Sequence, residues 1–102
     1  MLKLKQPFDS PYLKQGKATI ETLLDCKRYT IAIIRGDKDF EIGMHPHSNH
    51  EIYLVLSGTC ICYVNDIKHE LNRWHHSLCK PGQSHCIKNI SDGKVSILSI
   101  KF

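Results

Sequence analysis

The chain has 102 residues, 41% of them hydrophobic and 24% charged, which is the length and composition of one globular domain with a thin core. Its net charge of +4 comes from lysines spread along the chain, and without a basic block we expect no nucleic-acid partner. Its longest apolar runs, such as IYLVL, are far too short to span a bilayer, so we expect no membrane partner either.

The amino-terminal segment, residues 1–17, alternates lysine with leucine at its start and contains two prolines. We predict that it is a loose arm or a strand exchanged between subunits. Two β-branched runs follow, and they predict strands at residues 18–24 and 29–34. The sequence RGDKD at 35–39 predicts a turn in which Gly36 and the aspartates supply flexible and left-handed positions.

The rest of the chain consists of short strand patterns separated by turn residues. The pair Asn65-Asp66 suits a tight hairpin turn with positive φ. The predicted strand segments lie at residues 40–44, 52–57, 59–64, 67–71, 77–80, 84–90 and 95–102. About eight or nine short strands without a helical repeat predict an all-β sandwich or small barrel.

Three histidines and a glutamate stand within seven positions, in the stretch HPHSNHE at 45–51. If the chain is extended there, His45 and His47 point to the same face, because alternate residues of a strand do so. Glu51 opens an apolar strand, where an unpaired buried charge is costly. His85 starts another strand directly after a Pro-Gly turn.

Imidazole nitrogens and a carboxylate oxygen are suitable ligands for a first-row divalent metal, namely Fe, Mn, Ni, Cu or Zn. The sequence therefore predicts a metal site formed by His45, His47, Glu51 and His85. Four protein ligands on a six-coordinate ion leave two positions for water or substrate, unlike a closed tetrahedral zinc site.

The first of these segments resembles the first motif of the cupins, in which His-x-His is followed by a glutamate and then a glycine. His45, His47, Glu51 and Gly58 match it at every spacing. The family motif has a glycine six residues before its first histidine, whereas this chain has Asp39 there.

The second segment resembles the second cupin motif, which ends in Pro, Gly, His and Asn. Pro81, Gly82, His85 and Asn89 match it, although the proline and glycine are adjacent here, and the residues His75-His76 replace its opening glycine. The departures affect turns and not ligands.

The resemblance implies a small single-domain cupin, a jelly-roll β-barrel over residues 18–102, with a divalent transition metal on the four predicted ligands. It also implies a homodimer, in which the amino-terminal strand is often exchanged. The function that it implies is the binding or transformation of a small anionic or enolisable metabolite in the barrel pocket.

A second resemblance concerns the sensor domain of AraC-type transcription regulators, which is a cupin-like barrel that binds small ligands, frequently without a metal. The segments HEIYLVLSG, PGQSH and LSIKF resemble it, but no helix-turn-helix unit follows them in this chain. The alternative function is therefore a ligand-sensing barrel that performs no catalysis and lacks a DNA-binding part.

Four further residues are predicted to line the pocket, although each could instead have only a packing role in the core. Tyr53 and Tyr63 can donate hydrogen bonds to a ligand or pack, and Cys60 and Cys62 share one face, where packing as small apolar side chains is favoured. The remaining histidines are interpreted as surface residues, namely His50, His69, His75 and His76.

The cysteine count bears on the cell compartment. There are five cysteines, and an odd number does not suggest a secreted disulfide framework. We therefore expect reduced thiols and a cytoplasmic protein.

Overall fold

The computed structural model describes residues 5–102 and contains eleven β-strands in that part of the chain. Residues 1–4, the start of the predicted arm, lie outside the described residues. The strands are β1 (Gln6–Pro7), β2 (Leu13–Gln15), β3 (Ala18–Asp25), β4 (Thr30–Gly36), β5 (Glu41–Pro46), β6 (Glu51–Ser57), β7 (Cys60–Val64), β8 (Ile67–Leu71), β9 (His76–Cys79), β10 (Ser84–Asn89) and β11 (Val95–Lys101).

The strands form two antiparallel sheets. The six-stranded sheet has the order β1-β3-β4-β11-β6-β9, and the five-stranded sheet has the order β2-β5-β10-β7-β8. This is the all-β jelly-roll architecture that the sequence predicts. Within residues 5–102, no helix has the length and apolar character needed to cross a membrane.

The core lies between the inner faces of the two sheets. Burial alternates along the central strands, so that one residue in two points inward, as strand geometry requires. The buried core cluster consists of Ile34, Phe40, Ile42, Tyr53, Val55, Cys60, Cys62, Val64, Leu71, Ile87, Val95 and Ile97.

The segment after residue 5 contributes one short strand to each sheet. Gln6 pairs with Ile20 in the six-stranded sheet, and Leu13 pairs with Ile42 in the five-stranded sheet. Between these strands the Phe8 ring packs edge-on against Phe40, with 5.9 Å between the ring centroids. In the described residues this segment thus closes one side of the barrel of its own chain.

Two predicted turns have different outcomes. Asn65 and Asp66 have φ values of 47° and 68°, so the predicted hairpin turn is confirmed. The prediction of left-handed backbone conformations in the turn at 35–39 is wrong. Gly36 is the buried last residue of β4, and no residue of that turn has positive φ. A Cβ atom on Gly36 would lie 2.3 Å from the Phe40 ring, so the glycine makes room for that side chain.

Candidate metal centre

A β-bulge in β5 turns His45 toward the interior. His45 pairs with His85 and Ile42 pairs with Ile87, so that two residues of β5, Gly43 and Met44, face one residue of β10. Ile42 and His45 would point to opposite faces of a regular strand, because they are three residues apart. The bulge lets both side chains face inward, and both are buried.

Backbone hydrogen bonds fix the loop between β5 and β6. The Gly82 N–H, in the Pro-Gly turn before β10, donates to the His47 carbonyl over 3.0 Å. His50 and Phe102 exchange two backbone hydrogen bonds of 2.8 and 3.0 Å. The loop that carries His47 is therefore held at the ends of β10 and β11, beside His85.

The four predicted ligands meet at one point. The His47 Nε2 atom is 2.8 Å from the His85 Nε2 atom and 2.6 Å from the Glu51 Oε1 atom. The distance from His85 Nε2 to Glu51 Oε1 is 3.1 Å. Including His45, one potential ligand atom of each residue lies within 4.8 Å of all the others, so the cluster can hold a metal ion.

Neighbouring groups orient these side chains. The Nδ1 atom of His45 is 2.8 Å from the Gly43 carbonyl, to which it donates as Nδ1–H, and this leaves Nε2 as the nitrogen for a ligand bond. The Ser99 hydroxyl donates to Glu51 Oε2 over 2.6 Å, so that Oε1 is the carboxylate oxygen that faces the histidines. This second layer of contacts is the kind that fixes ligands in metal sites.

Two tyrosine rings stack on two of the imidazoles. Tyr53 lies parallel to His85, with ring centroids 4.7 Å apart and 4° between the planes. Tyr12 stacks on His45 at 4.8 Å and 17°. The stacked rings restrict the rotation of both imidazoles, and thus limit the movement of their ring nitrogens.

The donor set fits a divalent ion. Two ligand bonds of about 2.1 Å at a right angle place their donor atoms about 3 Å apart, as the His47, Glu51 and His85 atoms are here. Glu51 Oε1 is buried, and although the ring nitrogens of His47 and His85 lie 2.6 and 3.1 Å away, neither contact has the geometry of a hydrogen bond. Two ring nitrogens and a carboxylate oxygen this close together require a shared proton or a cation between them.

The protonation states also suit a metal. Burial lowers the pKa of His45 and His47 below the usual imidazole value, against the opposing effects of the Gly43 carbonyl and the Glu51 charge. Burial alone would raise the pKa of Glu51, but its interactions with His85, Ser99 and Lys101 hold that pKa below its usual value. At neutral pH these residues are neutral imidazoles and a carboxylate, the forms that bind metals.

A cavity of about 380 Å³, within the size range of small-molecule sites, is lined by three of the four donors, His45, His47 and Glu51. Its wall is formed by the six-stranded sheet, by β5 of the five-stranded sheet and by residues 8–12. The lining residues are Phe8, Asp9, Ser10, Pro11, Tyr12, Ile20, Thr22, Thr30, Ala32, Ile34, Ile42, His45, Pro46, His47, Glu51, Tyr53, Ser99 and Lys101.

Of the four further pocket candidates, only Tyr53 lines this cavity. Tyr63 does not, because inward positions on β7 alternate and place its side chain on the outer surface, where it is 37% exposed. Cys60 and Cys62 point inward but are fully buried in the core, where burial raises their thiol pKa values to about 12 and about 11. Their surroundings therefore match the interpretation that they pack as small apolar side chains in the core.

The other histidines lie away from the four donors. His69, His75 and His76 are exposed, whereas His50 is partly buried and its ring stacks on Phe102 at 4.8 Å. Asn89, the last residue of the second motif, is buried and donates to the carbonyls of Asp37 and Gly93. It therefore anchors loops and is not near the donors.

Sequence reasoning missed several residues that shape the site. They are Ser99, which bonds Glu51, Lys101 and Phe8, which line the cavity, and Tyr12, which stacks on His45. Ser99 and Lys101 stand at alternate positions of β11, on the face shared with Ile97. The alternation alone could have placed them inside the barrel, but not beside Glu51.

A family model described as “Cupin domain” matches residues 34–101, a stretch that includes all four donors. A search of curated proteins finds no match to the chain.

Several solved structures share the architecture. A predicted oxalate decarboxylase from Thermotoga maritima is 21% identical, with a TM-score of 0.80 over 95% of this chain and 91% of its own. The Cnp3 cupin domain of Schizosaccharomyces pombe is 18% identical, with a TM-score of 0.78 over 87% of this chain and 66% of its own. A cupin 2 conserved barrel domain protein from Rhodopseudomonas palustris is 10% identical, with a TM-score of 0.79 over 96% of this chain and 70% of its own. At these identities the similarity shows the fold.

Proposed function

The chain belongs to the cupin domain family, and on that premise we propose that it is a small metal-binding cupin that binds or transforms a small metabolite. His45, His47, Glu51 and His85 hold the metal, and the adjoining cavity receives the metabolite. The observation that carries this proposal is the meeting of four buried or nearly buried donors, three of which line a cavity of about 380 Å³.

The donor chemistry narrows the choice of metal. Three imidazoles and one carboxylate suit divalent Fe, Mn, Ni, Cu or Zn, and the absence of a thiolate among them disfavours a soft ion such as Cu(I). A bound ion of this kind supplies Lewis-acid or oxygen-activating chemistry.

The chain's own residues bind and orient. Ser99 keeps Glu51 Oε2 engaged, so that only Oε1 is directed to the centre. Residues 8–12 form part of the cavity wall, so they would contact a bound metabolite. Tyr53 keeps its proton, because burial raises its pKa well above the ordinary value, so its role at this site is stacking and hydrogen-bond donation.

One observation favours the alternative of a ligand-sensing barrel without catalysis. Apart from the donors His45, His47 and Glu51, the ionisable residues that line the cavity are Asp9, Tyr12, Tyr53 and Lys101. Asp9 is exposed, and Glu51 is held by Ser99. No carboxylate or imidazole in the described cavity wall is therefore both buried and free to act as a base. A barrel that only binds its ligand needs no such base, whereas many enzymes do.

Elemental analysis of protein purified without a histidine tag tests the metal assignment. We expect near-stoichiometric Fe, Mn, Ni, Cu or Zn in the parent protein and its loss in His47→Ala and Glu51→Gln. His69→Ala is the matched control, because His69 is exposed on β8, and it should retain the metal.

Retention of fold by each variant is checked by far-UV circular dichroism and thermal unfolding. A parent protein that stays metal-free after reconstitution with each of the five ions would contradict the proposal. Metal retained equally by His47→Ala and Glu51→Gln would contradict the ligand assignment. Metal-loaded protein is then incubated with a metabolite that it binds. An enzyme converts the metabolite to a product, whereas a sensor returns it unchanged.

We also propose a homodimer that buries the outer face of the six-stranded sheet. The central strands of that sheet carry large apolar residues on both faces, and those on the outer face remain partly exposed in the single chain. Cross-strand pairing places the outer residues side by side in one patch. They are Ile31, Ile33, Ile52, Leu54, Leu98 and Ile100.

The cysteines support a reducing compartment, and we propose the cytoplasm. All five are free thiols in the structure, and Cys60, Cys62 and Cys79 are buried. A protein that keeps five thiols and forms no disulfide suits the cytoplasm better than an oxidising environment.

A further inference from the structure

Lys101 is not one of the metal donors, and it brings a positive charge to the wall of the cavity. It is the last residue of β11, where inward positions alternate through Ile97 and Ser99. In the six-stranded sheet it pairs with Glu51 on one side and with Thr30 on the other. Its side chain lines the same cavity as Thr30 and three of the donors, His45, His47 and Glu51.

No carboxylate of the described residues lies within ion-pair distance of the Lys101 ammonium. The ion pairs that do form between lysine or arginine and a carboxylate in this part of the chain are Lys14–Glu41 and Arg35–Glu21, on other faces of the protein. Glu51, its cross-strand neighbour, is already engaged by Ser99 and the histidines. Lys101 is a half-buried residue whose ammonium makes no ion-pair contact with a described carboxylate, so an anionic ligand in this cavity would supply a counter-charge.

The balance of charge in the cavity favours a single anionic group. With a divalent ion in place, the ion and Lys101 outweigh Glu51 and Asp9 by one positive charge. Among residues 5–102, Lys101 is the one lysine in the wall, and no arginine lines it. A phosphate normally recruits several donors or an arginine fork, whereas a carboxylate is satisfied by one ammonium and one metal bond.

The rest of the wall changes from polar to apolar along the strands. Thr22 and Thr30 place hydroxyl groups near the end of the sheet that carries Lys101. Two residues farther along the inner face the lining becomes apolar, with Ile20 and Ile34 paired on β3 and β4. Phe8 completes this apolar end.

We propose that Lys101 determines specificity by pairing with the carboxylate of a small monocarboxylic acid whose apolar body lies against Ile20, Ile34 and Phe8. The proposal rests on the proposed function for the metal beside the cavity, and it adds the substrate class. Lys101 acts as a binding residue. Beside it, the Thr22 hydroxyl can donate or accept a hydrogen bond, and the Thr30 hydroxyl, which donates to Asp25, can accept one.

The test compares hexanoate with hexanamide, which has the same length and no charge. Isothermal titration calorimetry of the metal-loaded protein should give hexanoate a dissociation constant at least about tenfold lower than that of hexanamide. Lys101→Met should remove most of this preference by weakening hexanoate binding far more than hexanamide binding, and Lys101→Arg should keep it. Lys88→Met is the matched control, because Lys88 is exposed on β10 and outside the cavity.

Each outcome decides the proposal. Equal binding of the acid and the amide, or no saturable binding of hexanoate at millimolar concentration, overturns it. A preference for hexanoate that survives in Lys101→Met and disappears after metal removal assigns the carboxylate to the metal alone and overturns the role of Lys101. Metal content measured in the same samples separates a failure of the metal assignment, which would appear in the parent protein, from a failure of this one.

Discussion

Ser99 is the side chain that decides which oxygen of Glu51 faces the centre. Its hydroxyl lies 2.6 Å from Glu51 Oε2, and both residues are buried. We expect Ser99→Ala to lower the affinity for the metal by about 10- to 100-fold, because residues that hold a ligand typically contribute that much. Competition with a fluorescent chelator measures this affinity directly.

The matched control for this prediction is Ser96→Ala on the same strand. Ser96 occupies an outward position of β11, so its hydroxyl does not reach the site. An unchanged metal affinity in Ser99→Ala, in a variant that unfolds at the same temperature as the parent, would show that Glu51 needs no such partner.

The buried thiols predict how the free energy of unfolding varies at alkaline pH. Burial raises the pKa of Cys60 to about 12 and that of Cys62 to about 11, from a usual value near 9. Between those values the unfolded chain releases protons that the folded chain retains. We therefore expect the free energy of unfolding to fall as pH rises above about 9, by up to about 1.4 kcal/mol per pH unit for each thiol.

Urea unfolding at pH 8, 9 and 10 measures this slope. Cys60→Ala should be less stable at every pH, because it leaves a small cavity, but its stability should depend less steeply on pH. Cys26→Ala is the control, because Cys26 is exposed and should leave the slope as it is. Equal slopes in Cys60→Ala and the parent would contradict the assignment.

The residues of the site differ in how far the sequence could predict them. His45, His47, Glu51 and His85 stand in two short patterns, so residue type and spacing are sufficient to bring them to attention. Ser99 is 48 positions from Glu51, and their contact exists because β11 pairs with β6. A serine in a strand has no local mark of such a contact, since strand order is a property of the whole sheet.

At the scale of elements, the end of β4 depends on the missing side chain of Gly36. A Cβ atom there would lie 2.3 Å from the fully buried Phe40 ring. We expect Gly36→Ala to lower the free energy of unfolding by about 1–3 kcal/mol, because the ring must move within a packed core. Chemical denaturation followed by circular dichroism measures the change.

Gly93→Ala provides the comparison for this substitution. A Cβ atom on Gly93 would meet nothing within 4 Å, and its φ is not in the left-handed region. Its free energy of unfolding should therefore stay within about 0.5 kcal/mol of the parent value. Similar free energies of unfolding for Gly36→Ala and Gly93→Ala would mean that the Phe40 ring can move aside at no cost, and would contradict the prediction.

The strands themselves were predictable where side chains alternate or form apolar runs. The predicted strand at residues 67–71 and β8 coincide, and each of the others differs by one or two residues at one or both ends. β1 and β2 were not predicted as separate strands, because strands of two and three residues are too short to show a periodicity. The bulge at Gly43 and Met44 was also missed, since it is defined by pairing with β10.

At the scale of the whole molecule, the two sheets differ in their outer faces. Positions of β4, β6 and β11 that point away from the core are mostly isoleucine and leucine, which is why these strands appear apolar throughout. Outward positions of β7, β8 and β10 include Tyr63, Lys68 and Lys88. An antiparallel sheet with one solvated face normally alternates apolar and polar residues, so the outer face of the six-stranded sheet is suited to contact with another surface.

The proposed homodimer makes Leu98 a decisive position, because it lies at the centre of that face between Ile33 and Leu54. We expect Leu98→Asp to give a folded monomer, since a second copy would have to bury an unpaired carboxylate. Light scattering after size exclusion should give twice the 11.7 kDa chain mass for the parent and the single chain mass for the variant. Ile61→Asp, an outward position on β7 in the other sheet, should stay dimeric. A parent that is monomeric at tens of micromolar, or a dimeric Leu98→Asp, would place the contact elsewhere and leave the apolar face of the six-stranded sheet to a different partner.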